Sequence, residues 1–299
     1  MNKVIFEGVC TAMITPFTKD GIDYAAFGKQ IDYQINNGIS ALCVLGTTGE
    51  APTITDAEYE NIAKFAYDKI AGRVKFILGS GSNCTKKAIE KSVLAQKLGA
   101  DGLLVVTPYY NKCTQKGLVK YYNDICDSVD IPVLCYNVPA RTGVNILPQT
   151  MAEIAEHKNI GGIKEACGNM EQICETARLI KDKTALYSGD DNLNLAMLAI
   201  GSKGLISVVS NLLPKEVSTV NKLFASGKPI EANELHERLL PVIDVMFCEV
   251  NPIPIKRAIE LVGLGTGIVR APLTELEPEH TDKMIKTLKD FGVKLKEDL

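Results

Sequence analysis

Thr85–Leu98 reads TKKAIEKSVLAQKL and runs on into Gly99-Ala100-Asp101-Gly102-Leu103-Leu104-Val105-Val106. The first part sets Ile89, Val93 and Leu94 on one face at helical spacing. Gly99 stops that helix, and Ala100-Asp101-Gly102 turns the chain. Gly102–Val106 is then apolar without alternation, as a strand buried on both faces should be. A helix leading directly into such a strand is the repeating half of a parallel βαβ unit.

The same unit recurs on both sides. Apolar runs fall at Val9–Ile14, Ala41–Leu45, Lys75–Gly79, Gly102–Val106, Pro132–Tyr136, Gly161–Lys164, Ala185–Gly189 and Gly204–Val208. They are rich in Val, Leu and Ile and are bounded by Gly, Pro, Asn or Asp. Their spacing averages roughly thirty residues, the size of one strand–helix unit. Amphipathic segments lie between them, such as Tyr59–Ile70 with Ile62, Phe65 and Ala66 on one face. Eight units of one composition favour a closed (β/α)8 TIM barrel over a doubly wound sheet. After Val208 the pattern changes. Leu213–Leu299 holds only helical candidates, punctuated by prolines and ending in the stripe Met284, Leu288, Phe291. The expected organisation is a barrel over residues 1–225 and a C-terminal helical extension over 226–299, packed on it without a Ser/Gly-rich linker.

Composition narrows the function classes. The 299 residues are 46% apolar and 23% charged, with a formal net charge of −3. No basic patch stands out, so nucleic acid is not an expected partner. The nine cysteines are odd in number and none sits at C-x-x-C spacing. They read as reduced, mostly buried, small apolar residues. Three histidines leave few ligands for zinc, and no metal site is expected. Glu7 breaks the short apolar stretch after Lys3, unlike a signal peptide. Lys203 interrupts the longest apolar candidate for a membrane span. The expectation is a cytoplasmic protein with no membrane association.

In a barrel of this kind the reactive groups sit at the C-terminal ends of the strands and in the loops that follow. Lys164 closes the run Asn159–Lys164. It is either a strand-end lysine reaching solvent or pairing with an acid, or a buried amine with a lowered pKa that can attack a ketone. Tyr136 ends the preceding strand on the same face. It is a core tyrosine or a proton relay. Gly46-Thr47-Thr48-Gly49-Glu50 follows strand two. Its glycines permit a tight turn whose N–H groups could face a small carboxylate, or it is an ordinary βα turn. It lacks the Gly-Lys-Ser/Thr of a phosphate-binding loop. Thr107-Pro108-Tyr109-Tyr110-Asn111 follows strand four and suits a pocket wall or a subunit contact. Arg141, in Asn137-Val138-Pro139-Ala140-Arg141-Thr142-Gly143, offers a fork for a carboxylate or forms a surface ion pair. Gly263-x-Gly265-x-Gly267 follows a helical stretch, so it is not a dinucleotide loop. Gly189-Asp190-Asp191 has no partner cluster for a metal and reads as a strand-end loop.

Together these clusters closely resemble the dihydrodipicolinate synthase family of pyruvate-dependent class I aldolases. The motifs are Gly46-Thr47-Thr48-Gly49-Glu50, Thr107-Pro108-Tyr109-Tyr110, Tyr136-Asn137-Val138-Pro139-x-Arg141-Thr142-Gly143, Gly162-Ile163-Lys164-Glu165 and Ser188-Gly189-Asp190-Asp191. The resemblance spans essentially the whole chain. It includes Gly204-Leu205-Ile206-Ser207-Val208 and Asn251-Pro252-Ile253-Pro254-Ile255-Lys256. The first loop and the lysine are shared across the wider aldolase superfamily, whereas the Arg141 loop is narrower.

The resemblance implies a lyase of lysine and diaminopimelate biosynthesis in which Lys164 forms an imine with pyruvate. It implies a proton relay of Tyr136, Thr47 and Tyr110, with Tyr110 donated by a neighbouring subunit. Thr48, Ile206 and Gly189 are the expected pyruvate-site residues, and Arg141 is expected to bind the carboxylate of L-aspartate 4-semialdehyde. Lys164 is the electron sink, so no metal or organic cofactor is expected. The family is usually a homotetramer, a dimer of dimers. An N-acetylneuraminate lyase or a 2-keto-3-deoxy-sugar-acid aldolase would share Lys164 and Tyr136 but would not need Arg141. A non-catalytic, metabolite-binding barrel would not need Lys164, Tyr136 and Thr47 intact. At the positions matching the family's lysine-inhibition site the chain has Ala51, Asp56, Tyr59, Asn83, Lys87 and Tyr109. A cation at Lys87 would repel a lysine ammonium, so weak or absent inhibition by L-lysine is expected.

Overall fold

The computed structural model describes residues 4–298; residues 1–3 and 299 of the two expected ranges lie outside the described residues. Eight parallel strands close a barrel in chain order: β1 (Gly8–Ala12), β2 (Ala41–Val44), β3 (Lys75–Gly79), β4 (Gly102–Val106), β5 (Val133–Asn137), β6 (Ile160–Glu165), β7 (Ala185–Ser188) and β8 (Gly204–Ser207). β8 returns to β1, with Cys10 opposite Ile206. Each predicted apolar run coincides with one strand, and no end differs by more than two residues.

The crossovers carry α1 (Tyr24–Asn36), α2 (Asp56–Ile70), α3 (Thr85–Lys97), α4 (Gln115–Asp127), α5 (Pro139–Thr142), α6 (Pro148–Ile154), α7 (Met170–Ile180) and α8 (Asn194–Ala199). After β8 the chain is helical: α9 (Pro214–Ala225), α10 (Pro229–Met246), α11 (Ile253–Leu261) and α12 (Pro278–Phe291), with single 3-10 turns. Met284 and Leu288 bury the inner face of α12. Among the described residues no helix is long and apolar enough to cross a membrane.

Strand periodicity sorts side chains into two cores. Ala41, Cys43, Ile77, Leu134, Tyr136 and Ile206 fill the barrel interior. Leu42, Val44, Val133, Cys135 and Ile163 face outward under the helices. Lys164 follows Ile163, so alternation turns its side chain inward and Glu165 outward.

Two helices differ from the sequence reading. α2 begins three residues before Tyr59, because Thr55 and Glu58 form a reciprocal capping box. On α3 the buried face is Ala88, Ser92 and Ala95, while Ile89, Val93 and Leu94 are half-buried. Small residues let the helix approach the sheet, and Ser92 Oγ donates to Ser80 Oγ at 2.9 Å. The larger side chains fill the grooves to either side. The cysteines are all free, but only Cys10, Cys43, Cys126 and Cys135 are buried; Cys84 and Cys174 are exposed. The expectation that most are buried fails where a cysteine sits at a helix start or on an outer helix face.

The helical extension is tied to the barrel mouth by a buried ion pair. Lys256 on α11 pairs with Glu50 of the loop after β2, both essentially without solvent contact. Lys256 Nζ also donates to the Ile268 carbonyl at 2.8 Å and lies 3.9 Å from the centre of the Phe17 ring. The Arg270 backbone N–H donates to Glu50 Oε2 at 2.9 Å. Burial outweighs the Glu50 partner and holds the Lys256 amine down at about 8.

Candidate active site

Tyr136 and Lys164 are direct partners in the β5–β6 register. Both side chains are nearly buried, and Lys164 Nζ lies 4.3 Å from the centre of the Tyr136 ring. The next register partner of Lys164 is Tyr187 on β7. Its hydroxyl donates to the Phe6 carbonyl at 2.9 Å, and its ring stacks on Phe6 at 4.5 Å. Below the lysine sit Cys10 and Cys43. Burial raises both thiols, Cys43 to about 12, against the opposing pull of the Lys164 charge. They are neutral thiols at physiological pH, so the floor under Lys164 carries no anion.

A cavity of about 270 Å³ lies against Tyr136; Lys164, Cys10 and Cys43 are not among the residues that line it. Thr47, Tyr109, Tyr136, Val138 and Arg141 line it, together with Ala51, Tyr59, Ser82 and Lys91. Its only charged lining side chains are Arg141 and Lys91. A cavity with two cations and no carboxylate favours small anionic ligands.

The loop after β2 is built differently from the sequence reading. The amides of Gly49 and Glu50 do not face outward; they donate to the carbonyls of Gly46 (3.1 Å) and Thr47 (3.0 Å) and close the turn. The left-handed residues are Leu45 (φ 59°) and Glu50 (φ 55°), not the glycines. Gly49 is required by close approach instead. A β-carbon there would sit 3.2 Å from each of Leu45 N, Met13 O and Thr15 Oγ1. The Gly49 and Glu50 amides are thus taken up within the turn, whereas no such bond occupies the amides of Thr47 and Thr48 among the described residues. Thr47 faces the cavity, and Thr48 is buried with its oxygen accepting from Asn251 Nδ2 at 3.0 Å.

Arg141 stands on the single turn α5, and its Nη2 donates to the Asn251 carbonyl at 3.0 Å. It makes no ion pair with an acid among the described residues, unlike the surface-pair alternative. Ile206 is fully buried on β8. A β-carbon at Gly189 would sit 3.0 Å from Lys164 Cε, 2.9 Å from the Glu165 carbonyl and 2.8 Å from Ala166 Cβ, so glycine makes room for the lysine stem. Burial raises the Asp190 carboxyl to about 6, and the nearby Lys164 charge opposes that rise. Tyr110 is not brought to the cavity. It is 90% exposed with φ 69°, whereas its neighbour Tyr109 lines the wall. Of the positions matched to the lysine site, Ala51, Tyr59 and Tyr109 line the same cavity, and Asp56 and Lys87 are exposed.

Three residues had no role in the sequence reading. Asp191, fully buried, accepts from Ser207 Oγ at 2.5 Å and Val208 N at 2.9 Å, holding the end of β8 beside Ile206. Glu165 accepts from Asn137 Nδ2 at 2.9 Å and from the Cys167 amide at 3.0 Å, and burial raises it to about 7. Asn251 contacts both Thr48 and Arg141. Strand alternation could have flagged Glu165 as an outward, buried acid; no local signal marks Asn251. No group of three or more His, Cys, Asp or Glu among the described residues could hold a metal ion.

The model of the dihydrodipicolinate synthetase family matches residues 5–291. The 4-hydroxy-tetrahydrodipicolinate synthase of Caldicellulosiruptor saccharolyticus is 45% identical over 294 residues, covering 98% of this chain and 99% of that protein. The dihydrodipicolinate synthase of Aquifex aeolicus superposes with a TM-score of 0.95 at 42% identity, covering 97% of this chain and all of the other. A monomeric dihydrodipicolinate synthase variant superposes with a TM-score of 0.96 at 40% identity over 97% of this chain and 98% of its own. With its eight-stranded barrel, its inward lysine and this near-complete coverage, the chain belongs to the dihydrodipicolinate synthetase family.

Proposed function

We propose that this chain is a 4-hydroxy-tetrahydrodipicolinate synthase of the cytoplasm that condenses pyruvate with L-aspartate 4-semialdehyde. The observation that carries the reading is Lys164 Nζ, shielded from water and stacked on Tyr136 beside a cavity whose charged lining is wholly cationic. The Lys164 amine gives up its proton and adds to the ketone of pyruvate, and loss of water gives the imine. The protonated imine acidifies the methyl group, and loss of a methyl proton gives an enamine. The enamine carbon attacks the aldehyde carbon of the second substrate. That substrate's own amine then displaces Lys164 and closes the ring, so the lysine is regenerated. Tyr136 and Thr47 move protons at the carbinolamine oxygen, with Tyr110 completing the relay from a neighbouring subunit. Thr48, Gly189 and the backbone at Ile206 hold pyruvate, and Arg141 holds the carboxylate of the semialdehyde.

The amine of Lys164 does the work of an electron sink, so the proposal requires no metal or organic cofactor. The exposed Tyr110 supports a homotetramer, in which a neighbouring copy would cover it. The barrel is taken to occupy residues 1–225 and the helical extension 226–299. L-lysine is proposed to inhibit weakly or not at all, because the exposed Lys87 adds a cation where a lysine ammonium would lie. A lysine titration showing strong inhibition at sub-millimolar concentration would refute that part.

The test of the main reading is a paired assay. Turnover with L-aspartate 4-semialdehyde should far exceed turnover of pyruvate with N-acetylmannosamine. Preference for the sugar would assign the chain to the neuraminate-lyase reaction instead.

A further inference from the structure

Resting on the reading of Thr48 as a ligand of the pyruvate carboxylate, we propose that Asn251 is a positioning residue that points the Thr48 hydroxyl proton at that carboxylate. Asn251 precedes α11 and is 7% exposed. Its Nδ2 donates to Thr48 Oγ1 at 3.0 Å, across 203 residues of sequence. A hydroxyl has one proton and two lone pairs. With one lone pair taken by the amide, the proton must point away from Asn251. Thr48 Oγ1 donates to no protein acceptor among the described residues, so that proton is left for a ligand. The arrangement converts a freely rotating hydroxyl into a fixed donor, which is what a carboxylate oxygen requires.

Asn251 serves the second subsite by different atoms. Its backbone carbonyl accepts from Arg141 Nη2 at 3.0 Å. A substitution at 251 removes the amide and keeps the carbonyl. The two effects are therefore separable: side-chain removal disturbs the pyruvate subsite and leaves the Arg141 anchor in place. The orientation of the amide is also decisive. Were its oxygen turned to Thr48, the hydroxyl would be donating to Asn251, and removing the side chain would free the proton and leave pyruvate binding unchanged or tighter. In the structure Nδ2 faces Thr48, and the buried Oδ1 has no hydrogen-bond partner among the described residues.

The experiment measures borohydride trapping of pyruvate and steady-state kinetics in the full chain with Asn251→Ala, Thr48→Val and the double variant. Asn251→Ala should raise the pyruvate concentration for half-maximal trapping about fivefold, the scale of one net hydrogen bond. Its KM for the semialdehyde should stay within about twofold of wild type, because the anchoring carbonyl remains. In the Thr48→Val background the Asn251→Ala effect should vanish, since the amide acts only through that hydroxyl. A merely structural role would move both substrates and persist without the hydroxyl. If Asn251→Ala does not fold, Asn251→Ser, too short to reach Thr48, carries the same measurement. Unchanged or tighter pyruvate binding, or additive effects in the double variant, overturns the proposal while trapping by wild type keeps the Lys164 reading intact. Absence of trapping in wild type overturns both.

Discussion

Replacing Lys256 by methionine should destabilise the protein far more than an average substitution. The lysine is completely buried and its ammonium pairs with Glu50, itself almost without solvent contact. Methionine fills a similar volume but leaves Glu50 with the Arg270 amide as its remaining donor among the described residues. Removing one partner of a buried ion pair strands the other charge, at a cost of about 3–5 kcal/mol. With an unfolding entropy of about 2.1 cal/mol/K per residue, a chain of this length loses about 0.6 kcal/mol of stability per degree near its midpoint. The midpoint should therefore fall by about 5–8 °C. The double variant Glu50→Gln, Lys256→Met removes the stranded charge and should recover a large part of that loss. The assay is thermal unfolding at neutral pH, followed by circular dichroism, for the wild type and the two variants. A Lys256→Met midpoint equal to or above wild type would refute the reasoning, as would a double variant less stable than Lys256→Met. Because Glu50 closes the loop that carries Thr47 and Thr48, Lys256→Met should also raise the KM for pyruvate.

Tyr136→Phe should lower kcat by about 10²–10⁴-fold while the fold, read by circular dichroism, is unchanged; a loss below tenfold would mean the phenol is not the proton relay. Gly189→Ala forces a β-carbon against Lys164 Cε and the Glu165 carbonyl. Misplacing the amine by about 1 Å should cost about 10²-fold in kcat/KM with little change in melting point, and undiminished activity would show that the stem has room to spare. Glu165 should make stability pH-dependent. Its folded pKa is raised from 4.5 to about 7, so the folded state binds the proton more tightly than the unfolded chain. That contribution is full below about pH 4.5, falls as pH rises through about 7, and totals about 3 kcal/mol. Denaturant titrations across this window should show the decline, and Glu165→Gln should flatten it; an equal slope in both proteins would contradict the assignment.

The barrel was legible because its strands are buried on both faces and therefore read as uninterrupted apolar runs between turn residues. The alternation within those runs also set Lys164 and Tyr136 on the inner face, where the register pairs them. What escaped was what depends on closure of the fold. Asn251 meets Thr48 across 203 residues and Arg141 across 110, so no local pattern announces it. The inner face of α3 was misjudged because hydrophobicity picked Ile89 and Val93, whereas the space against the sheet selects Ala88, Ser92 and Ala95. In the loop after β2, the glycines suggested a tight turn whose amides face an anion, yet the Gly49 and Glu50 amides close the turn itself, and Gly49 answers a steric demand from Leu45, Met13 and Thr15. Tyr110 projects into solvent, while its neighbour Tyr109 lines the cavity, a difference that two adjacent tyrosines in a loop do not announce.

Incubation with pyruvate and borohydride, followed by peptide mass spectrometry, tests the account most directly. A reduced pyruvyl adduct should appear on the peptide carrying Lys164, and Lys164→Ala should abolish it in a protein that still folds. No adduct in the wild type, or an adduct that survives in Lys164→Ala, would contradict the claim that this buried amine is the nucleophile.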